Sequence, residues 1–237
     1  MYRLLPLVSL LSLAQGCLLF IRVEDGNGDL VEEVRDVDSF SGVSSEGSLT
    51  VEIVAGETPS LTVLCDSNLL EFIDTDVEDG ILEISERWSL FPSDGCVVHV
   101  VAVGLDHVAL SGSGFVRVDG PVEAGRFEID SSGSGEVDVE TLAATSVVVL
   151  LSGSGGVVVA DGGAGTLDAT VSGSGDVDTV GLEAEDATAI VSGSGRIELT
   201  ATASVDAIVD GSGAIVVHGD PAGRDVSGTG SGTVTFE

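Results

Sequence analysis

The tetrapeptide SGSG stands at residues 111–114, 132–135, 152–155, 172–175 and 192–195, and DGSG stands at 210–213. Repeat starts read at Ser111, Ser132, Ser152, Ser172, Ser192, Asp210 and Ser227 are 21, 20, 20, 20, 18 and 17 residues apart. A near-constant period of this size is the mark of a solenoid. Each unit is too short to bury a core of its own, so the units must stack. A floppy Gly-Ser linker does not fit, because the flanking residues keep a strict alternation.

Aligned on SGSG, the sixth position reads Val116, Val137, Val157, Val177, Ile197 and Ile215. The eighth reads Val118, Val139, Val159, Thr179, Leu199 and Val217. Between them stand Arg117, Asp138, Val158, Asp178, Glu198 and Val216, mostly polar. Apolar residues also precede the motif, at Leu151, Val171, Val191 and Val209. Period-two alternation is a strand with one face inward. The sequence therefore predicts an all-β fold, a parallel β-helix with turns of about 20 residues. Twenty residues at about 3.3 Å each give a perimeter of roughly 66 Å, which suits a three-sided or flattened coil.

Two roles stay open for the glycines Gly112, Gly114, Gly133, Gly135, Gly153, Gly155, Gly173, Gly175, Gly193, Gly195, Gly211 and Gly213. On a straight strand they share the inner face, and crowding forbids a side chain. If the chain bends there, they supply backbone angles that other residues avoid. Either way the equivalent serines form two stacked rows along one edge.

Residues 36–110 lack SGSG but carry alternating runs, "SLTVEIV", "PSLTVLC", "GILEIS" and "CVVHVVAV", separated by Gly, Pro, Asp and Asn. They are expected to start the coil and cap it, making 36–237 a single domain with 111–237 as its repeat turns. A short helical turn is expected in "SNLLEFID" at 67–74. Residues 18–35 read as a polar lead-in.

The start of the chain reads as an export signal over 1–17. Arg3 precedes an apolar run, Leu4–Ala14, and "LAQGC" at 13–17 resembles a lipobox. Cys17 is the expected lipidation site, with membrane attachment through that lipid. Plain cleaved secretion ranks second. An uncleaved anchor over Leu4–Ile21 ranks third, since Pro6, Gln15 and Gly16 interrupt a run barely long enough to span. Export to an oxidising compartment makes a Cys65–Cys96 disulfide the expected state of the other two cysteines, against two buried thiols.

The formal net charge is −32, with eight Arg and no Lys. Such a surface repels phosphate backbones, so nucleic acid is excluded as a partner. A hydrophobic content of 43% argues against disorder.

Four pieces carry a family resemblance: "GNGDLVEEVRDVDSFSGV" (26–43), "CDSNLLEFIDTDVEDGILEIS" (65–85), the SGSG copies, and "GDPAGRDVSGTGSGTV" (219–234). In that order they resemble the putative auto-transporter adhesin head GIN domain family, over about residues 26–237. The resemblance implies a parallel β-helix in an exported bacterial protein, with adhesion as the role and no catalytic residue set.

The residues agree with that absence. No serine has the G-x-S-x-G elbow, and His99, His107 and His218 cannot serve a whole row of nucleophiles. The fifth column, Phe115, Glu136, Gly156, Asp176, Arg196 and Ala214, is no array of calcium ligands. No metal and no cofactor is expected. The expectation is a non-enzymatic β-helix of the cell envelope, outer membrane, periplasm or cell surface, binding a carbohydrate or protein ligand. A homo-oligomer or a structural scaffold is compatible with it. A polysaccharide lyase or hydrolase is the competing class, with Trp88 and Phe91 in "SERWSLFPSDG" (85–95) as sugar contacts or as a lid on the core.

Overall fold

The computed structural model describes residues 22–237. Cys17 and the apolar run to Ile21 lie outside the described residues. Nineteen strands and one 3-10 turn account for about three quarters of the described chain. The first nine strands are β1 (Val23–Asp25), β2 (Leu30–Arg35), β3 (Gly42–Gly47), β4 (Thr50–Ala55), β5 (Ser60–Asp66), β6 (Ile73–Glu78), β7 (Ile81–Glu86), β8 (Ser89–Phe91) and β9 (Val97–Ala102). The 3-10 turn covers Leu70–Phe72, inside the segment expected to turn helically.

The repeat region holds β10 (His107–Gly112), β11 (Phe115–Gly133), β12 (Glu136–Gly153), β13 (Gly156–Val159), β14 (Gly162–Gly173) and β15 (Asp176–Gly193). It ends with β16 (Arg196–Gly211), β17 (Ala214–His218), β18 (Gly223–Gly230) and β19 (Thr233–Phe236). Every pairing among these is parallel and joins each strand to the copy 17 to 21 positions later, with register shifts within the β11–β12 and β15–β16 pairs. The fold is the β-solenoid that the period predicted, with about 6 turns.

Long strands such as β11 are not straight. Pairing between β11 and β12 breaks after Val118, resumes at Pro121, and skips Gly125. Three paired stretches therefore make each turn. The sixth- and eighth-position columns are buried without exception, Val116 to Ile215 and Val118 to Val217. Each such side chain removed from water contributes about 1.5–3 kcal/mol. Thr179 stands in the second column, and its hydroxyl donates to the Glu198 carbonyl (3.2 Å), which satisfies a polar group in an apolar row.

One repeat start needs correction. Asp210 pairs with Thr229, not Ser227, and Gly211 with Gly230. The final copy is TGSG at 229–232. Ser227 stands instead beside Ile208, two residues before the corner. The shorter step from Ser192 to Asp210 is absorbed by register shifts between Thr179 and Glu183 and between Ala184 and Asp186.

The two glycines of each SGSG have different reasons to be glycine. Gly173 has φ +134°, while Gly175 lies outside that region. The chain bends at Ser174, so Gly173 turns the corner. Crowding acts at both. A Cβ on Gly173 would press within 3.0 Å of the Gly153 carbonyl oxygen, and a Cβ on Gly175 would meet both the Gly155 oxygen and the Leu151 side chain. The Gly153 oxygen is there for a reason. It accepts N–H bonds from Ser174 (2.8 Å) and Gly175 (3.1 Å) of the next turn. Equivalent bonds recur from Ser134 to Gly112, from Ser194 to Gly173 and from Ser231 to Gly211. The serine side chains at these corners are exposed.

Stack order departs from chain order at the N-terminal end. β3 and β4 form the first turn in sequence, yet they lie between two others. β10 and β11 pair on one side, and β7 and β9 on the other. Glu46-Gly47-Ser48-Leu49 takes the SGSG position in this turn, with Gly47 stacked beneath Gly112. β7 and β9 form the terminal turn, and antiparallel strands cover it: β6 on β7, β5 on β9, and β2 on β5. The stretch read as a polar lead-in thus supplies two strands, β1 beside β8 and β2 beside β5. Cys65 at the end of β5 and Cys96 before β9 are joined, with Cα atoms 4.5 Å apart. The link ties the cap to the outermost turn.

Gly173→Val is expected to lower the unfolding free energy by about 3 kcal/mol or more, because strain and a backbone clash act together. Ser174→Ala is expected to cost less than about 0.5 kcal/mol, as an exposed hydroxyl. Denaturant unfolding of both variants checks this, and a neutral Gly173→Val would refute the corner geometry.

Candidate functional site

Most of the solenoid surface is made of uninterrupted strands. A recess of about 700 Å³ runs across one strand face at Thr166, Asp168, Asp186, Ser204 and Arg224. Another concavity opens where residues 87–96 leave the coil between β7 and β9. This segment carries β8 and overhangs the glycine-serine edge. Between them is a groove of about 650 Å³, lined by Glu86, Ser89, Leu90 and Phe91 on one side and by Ser48, Ser113 and Ser134 on the other. The two aromatics of the segment divide their work. Trp88 packs against the core with Arg22 over its ring at 4.7 Å. Phe91 is 60% exposed and faces the groove.

Glu86 is the one carboxylate in this lining. Burial pushes its carboxyl up, opposed by bonds from the Ser48 hydroxyl (3.1 Å) and the Ser48 N–H (3.2 Å). The groove contains no histidine, lysine or arginine. His99 lies on an outer face beside Glu52, at 3.1 Å, and His218 lies 3.9 Å from Glu198. Neither stands next to a corner serine. All seven described arginines, Arg22, Arg35, Arg87, Arg117, Arg126, Arg196 and Arg224, are ion-paired with an acid. Among the described residues, no three His, Cys, Asp or Glu side chains converge to hold a metal. The arrangement can offer an exposed ring, one carboxylate and a row of hydroxyls to a neutral polar ligand. Among the described residues it offers no unpaired cation to an anionic one.

A second polar constellation was not legible as a site in the sequence. Asp66 is fully buried at the end of β5. Its carboxylate accepts from the Gly28 N–H (2.6 Å), the Ser93 N–H (2.8 Å) and the Ser93 hydroxyl (2.7 Å). The Asn27 N–H donates to the Asn68 side chain at 3.0 Å, and the Asn68 amide donates to the Asp25 carbonyl at 2.9 Å. Arg35 donates to the carbonyls of Leu70 (3.0 Å) and Ile73 (2.7 Å), closing the 3-10 turn.

The sequence profile described as "putative auto-transporter adhesin, head GIN domain" matches residues 39–221. The chain belongs to this family. Solved structures share the fold. One, described as a putative adhesin from Bacteroides fragilis NCTC 9343, is 22% identical with a TM-score of 0.84, covering 90% of this chain and all of that one. Another, a "putative lipid binding protein" from Parabacteroides distasonis ATCC 8503, is 26% identical with a TM-score of 0.73, covering 91% and 100%. A putative adhesin from Parabacteroides merdae ATCC 43184 is 20% identical at 0.72, covering 91% and 99%. No functionally curated protein matches the sequence.

The GIN domain pieces that carried the resemblance are now explained locally. "GNGD" (26–29) and "CDSN" (65–68) dock on each other through Asp66, Asn27 and Asn68. A Cβ on Gly26 would collide with the Asp66 carboxylate, so that glycine is required by close approach. Sequence reasoning had only one signal for this: two Asn- and Asp-rich turns flanking strands, which by composition are ordinary loops.

Asp66 gives a pH test. The Ser93 backbone N–H, then the Ser93 hydroxyl and the Gly28 N–H, hold its pKa below the ordinary value of 3.8, against the opposing effect of burial. A depressed carboxylate contributes stability that is complete above the unfolded pKa and fades as pH falls through the folded one. Thermal unfolding of the wild type is therefore expected to lose stability steeply below about pH 4. Asp66→Asn should be less stable at neutral pH and flatter in acid. An Asp66→Asn protein with an unchanged acid slope would contradict this.

Proposed function

We propose that the chain is a non-catalytic adhesin-type solenoid of the cell envelope, which binds a neutral surface ligand, carbohydrate or protein, in the groove between residues 86–91 and the glycine-serine edge. The observation that carries this reading is the pairing of a rigid serine-lined edge with the overhanging, exposed Phe91. Aromatic faces and hydroxyls are what a neutral polar ligand is recognised by. Family membership and the adhesin descriptions of the neighbours support an exported, surface-binding role. The surface charge of −32 disfavours acidic polymers as ligands. No helix of the described residues is long and apolar enough to cross a membrane, and attachment is proposed through a lipid on Cys17.

One observation favours the enzymatic alternative. Glu86 and Asp94 line a common recess of about 320 Å³ next to the groove, and paired carboxylates are what glycoside hydrolysis needs.

A glycan and matrix-protein array, with lipid vesicles as a further class, tests the binding reading. Binding is expected to fall about tenfold or more in Phe91→Ala with an unchanged melting temperature. Undiminished binding would place the ligand elsewhere, and polysaccharide turnover abolished by Glu86→Gln would replace adhesion by catalysis. For attachment, Cys17→Ser is expected to move the protein from the membrane fraction to the soluble one. A variant that stays with the membrane would refute the lipid anchor.

A further inference from the structure

Among the described residues, strand β8 has a single partner. It pairs in parallel with β1, and the two form a sheet separate from the solenoid. In such a ladder, alternate residues of a strand turn their N–H and C=O groups to the same neighbour. On β8 these are Ser89 and Phe91. The Ser89 N–H donates to the Arg22 carbonyl (3.1 Å), and the Phe91 carbonyl accepts from the Gly26 N–H (2.9 Å). The N–H and C=O of Leu90, between them, therefore point to the opposite edge. No hydrogen bond joins either group to another described residue.

Backbone groups hidden from water are almost always paired. Leu90 is only 7% exposed, yet its donor and its acceptor are both open. The groove beside the glycine-serine edge is lined by all three residues of β8 and by none of β1, so it runs along this open edge. The facing wall is made of Gly47, Gly112 and Gly133 with Ser48, Ser113 and Ser134. Glycine in a sheet marks a place where another backbone can come close. A strand edge thus faces a wall with no side chain larger than serine, across an open slot.

We propose that the groove takes an extended peptide segment of another protein, which adds to β8 as a further strand and pairs with Leu90. This rests on the groove being the binding site, and it narrows the ligand from carbohydrate or protein to a peptide backbone. An extended chain carries a C=O and an N–H on one edge, matching the two open groups of Leu90, and lies about 4.8 Å from the strand it joins. Main-chain pairing supplies affinity, and side chains at alternate positions supply choice. Ser89 and Phe91 project from the same face of β8, so peptide side chains on that face meet the Phe91 ring. Glu86 is the one charge in the lining, and with the net charge of −32 it selects against acidic segments.

Selection of the full chain against a displayed library of random linear peptides, with a glycan array in parallel, tests the proposal. Linear peptides poor in Asp and Glu are expected to be selected. N-methylation scanned along a selected peptide is expected to cut binding about tenfold or more at the N–H that meets the Leu90 carbonyl, and less at its two neighbours, which point away. Ser113→Arg fills the slot from an exposed position and is expected to abolish peptide binding at an unchanged melting temperature. Ser174→Arg, on the same edge beyond the overhang, is expected to leave binding intact. Failure to select any peptide overturns the proposal, as does a peptide that tolerates N-methylation everywhere. If glycans bind instead and are lost in Phe91→Ala and Ser113→Arg, the groove stands and only the strand pairing falls. Peptide binding that survives both of those substitutions overturns the groove itself.

Discussion

The structure depends on one carbonyl oxygen per turn. At each corner the first glycine's C=O points along the stack and accepts from the turn above, with two N–H bonds at Gly47, Gly112, Gly153, Gly173 and Gly211 and one at Gly133 and Gly193. That oxygen fills the volume where the next first glycine would carry a Cβ. The backbone ladder can therefore run through the bend without interruption only if the same position is glycine in every copy. A coil that keeps its hydrogen bonds at corners stays in register. Register is what places Val116, Val137, Val157, Val177, Ile197 and Ile215 in a single buried row. The serines between and before the glycines face solvent and have no such constraint.

A stack held together in this way needs its ends managed, because the forces that join one turn to the next do not stop at the last. The N-terminal end shows the cost of closure in polar groups. Covering β7 and β9 with antiparallel strands leaves backbone groups in the connecting segments that need partners. Asp66 and Arg35 supply them, the first by accepting from Gly28 and Ser93, the second by donating to the Leu70 and Ile73 carbonyls. The Cys65–Cys96 link joins the same two layers. Loops displaced from the coil by this closure form the one overhang beside the glycine-serine edge, so capping and groove have a common origin.

Surface charge and site chemistry bear on the same question from two directions. Acids spread along the chain, with every described arginine already paired, disfavour anionic partners. The groove agrees, offering a phenyl ring and hydroxyls with a single carboxylate.

The sequence by itself determined the solenoid, its parallel stacking and its inner columns. A period near twenty with period-two alternation admits few other ways to bury valines. It also left both glycine roles open, and both were needed, because bending falls on the first glycine of the motif and crowding on both. What the repeat could not reveal lies where the repeat stops. The last corner was read at Ser227, but pairing puts it at Thr229, since two overlapping SG/TG copies are equal by composition and only the ladder chooses between them. The order of the first turns, with β3 and β4 inside β7 and β9, was decided by strand pairing between residues 39 to 47 positions apart. The cap cluster and the exposure of Phe91 over Trp88 were likewise settled by tertiary structure. Local patterning fixes which face of a strand is apolar, but not which distant strand will cover it.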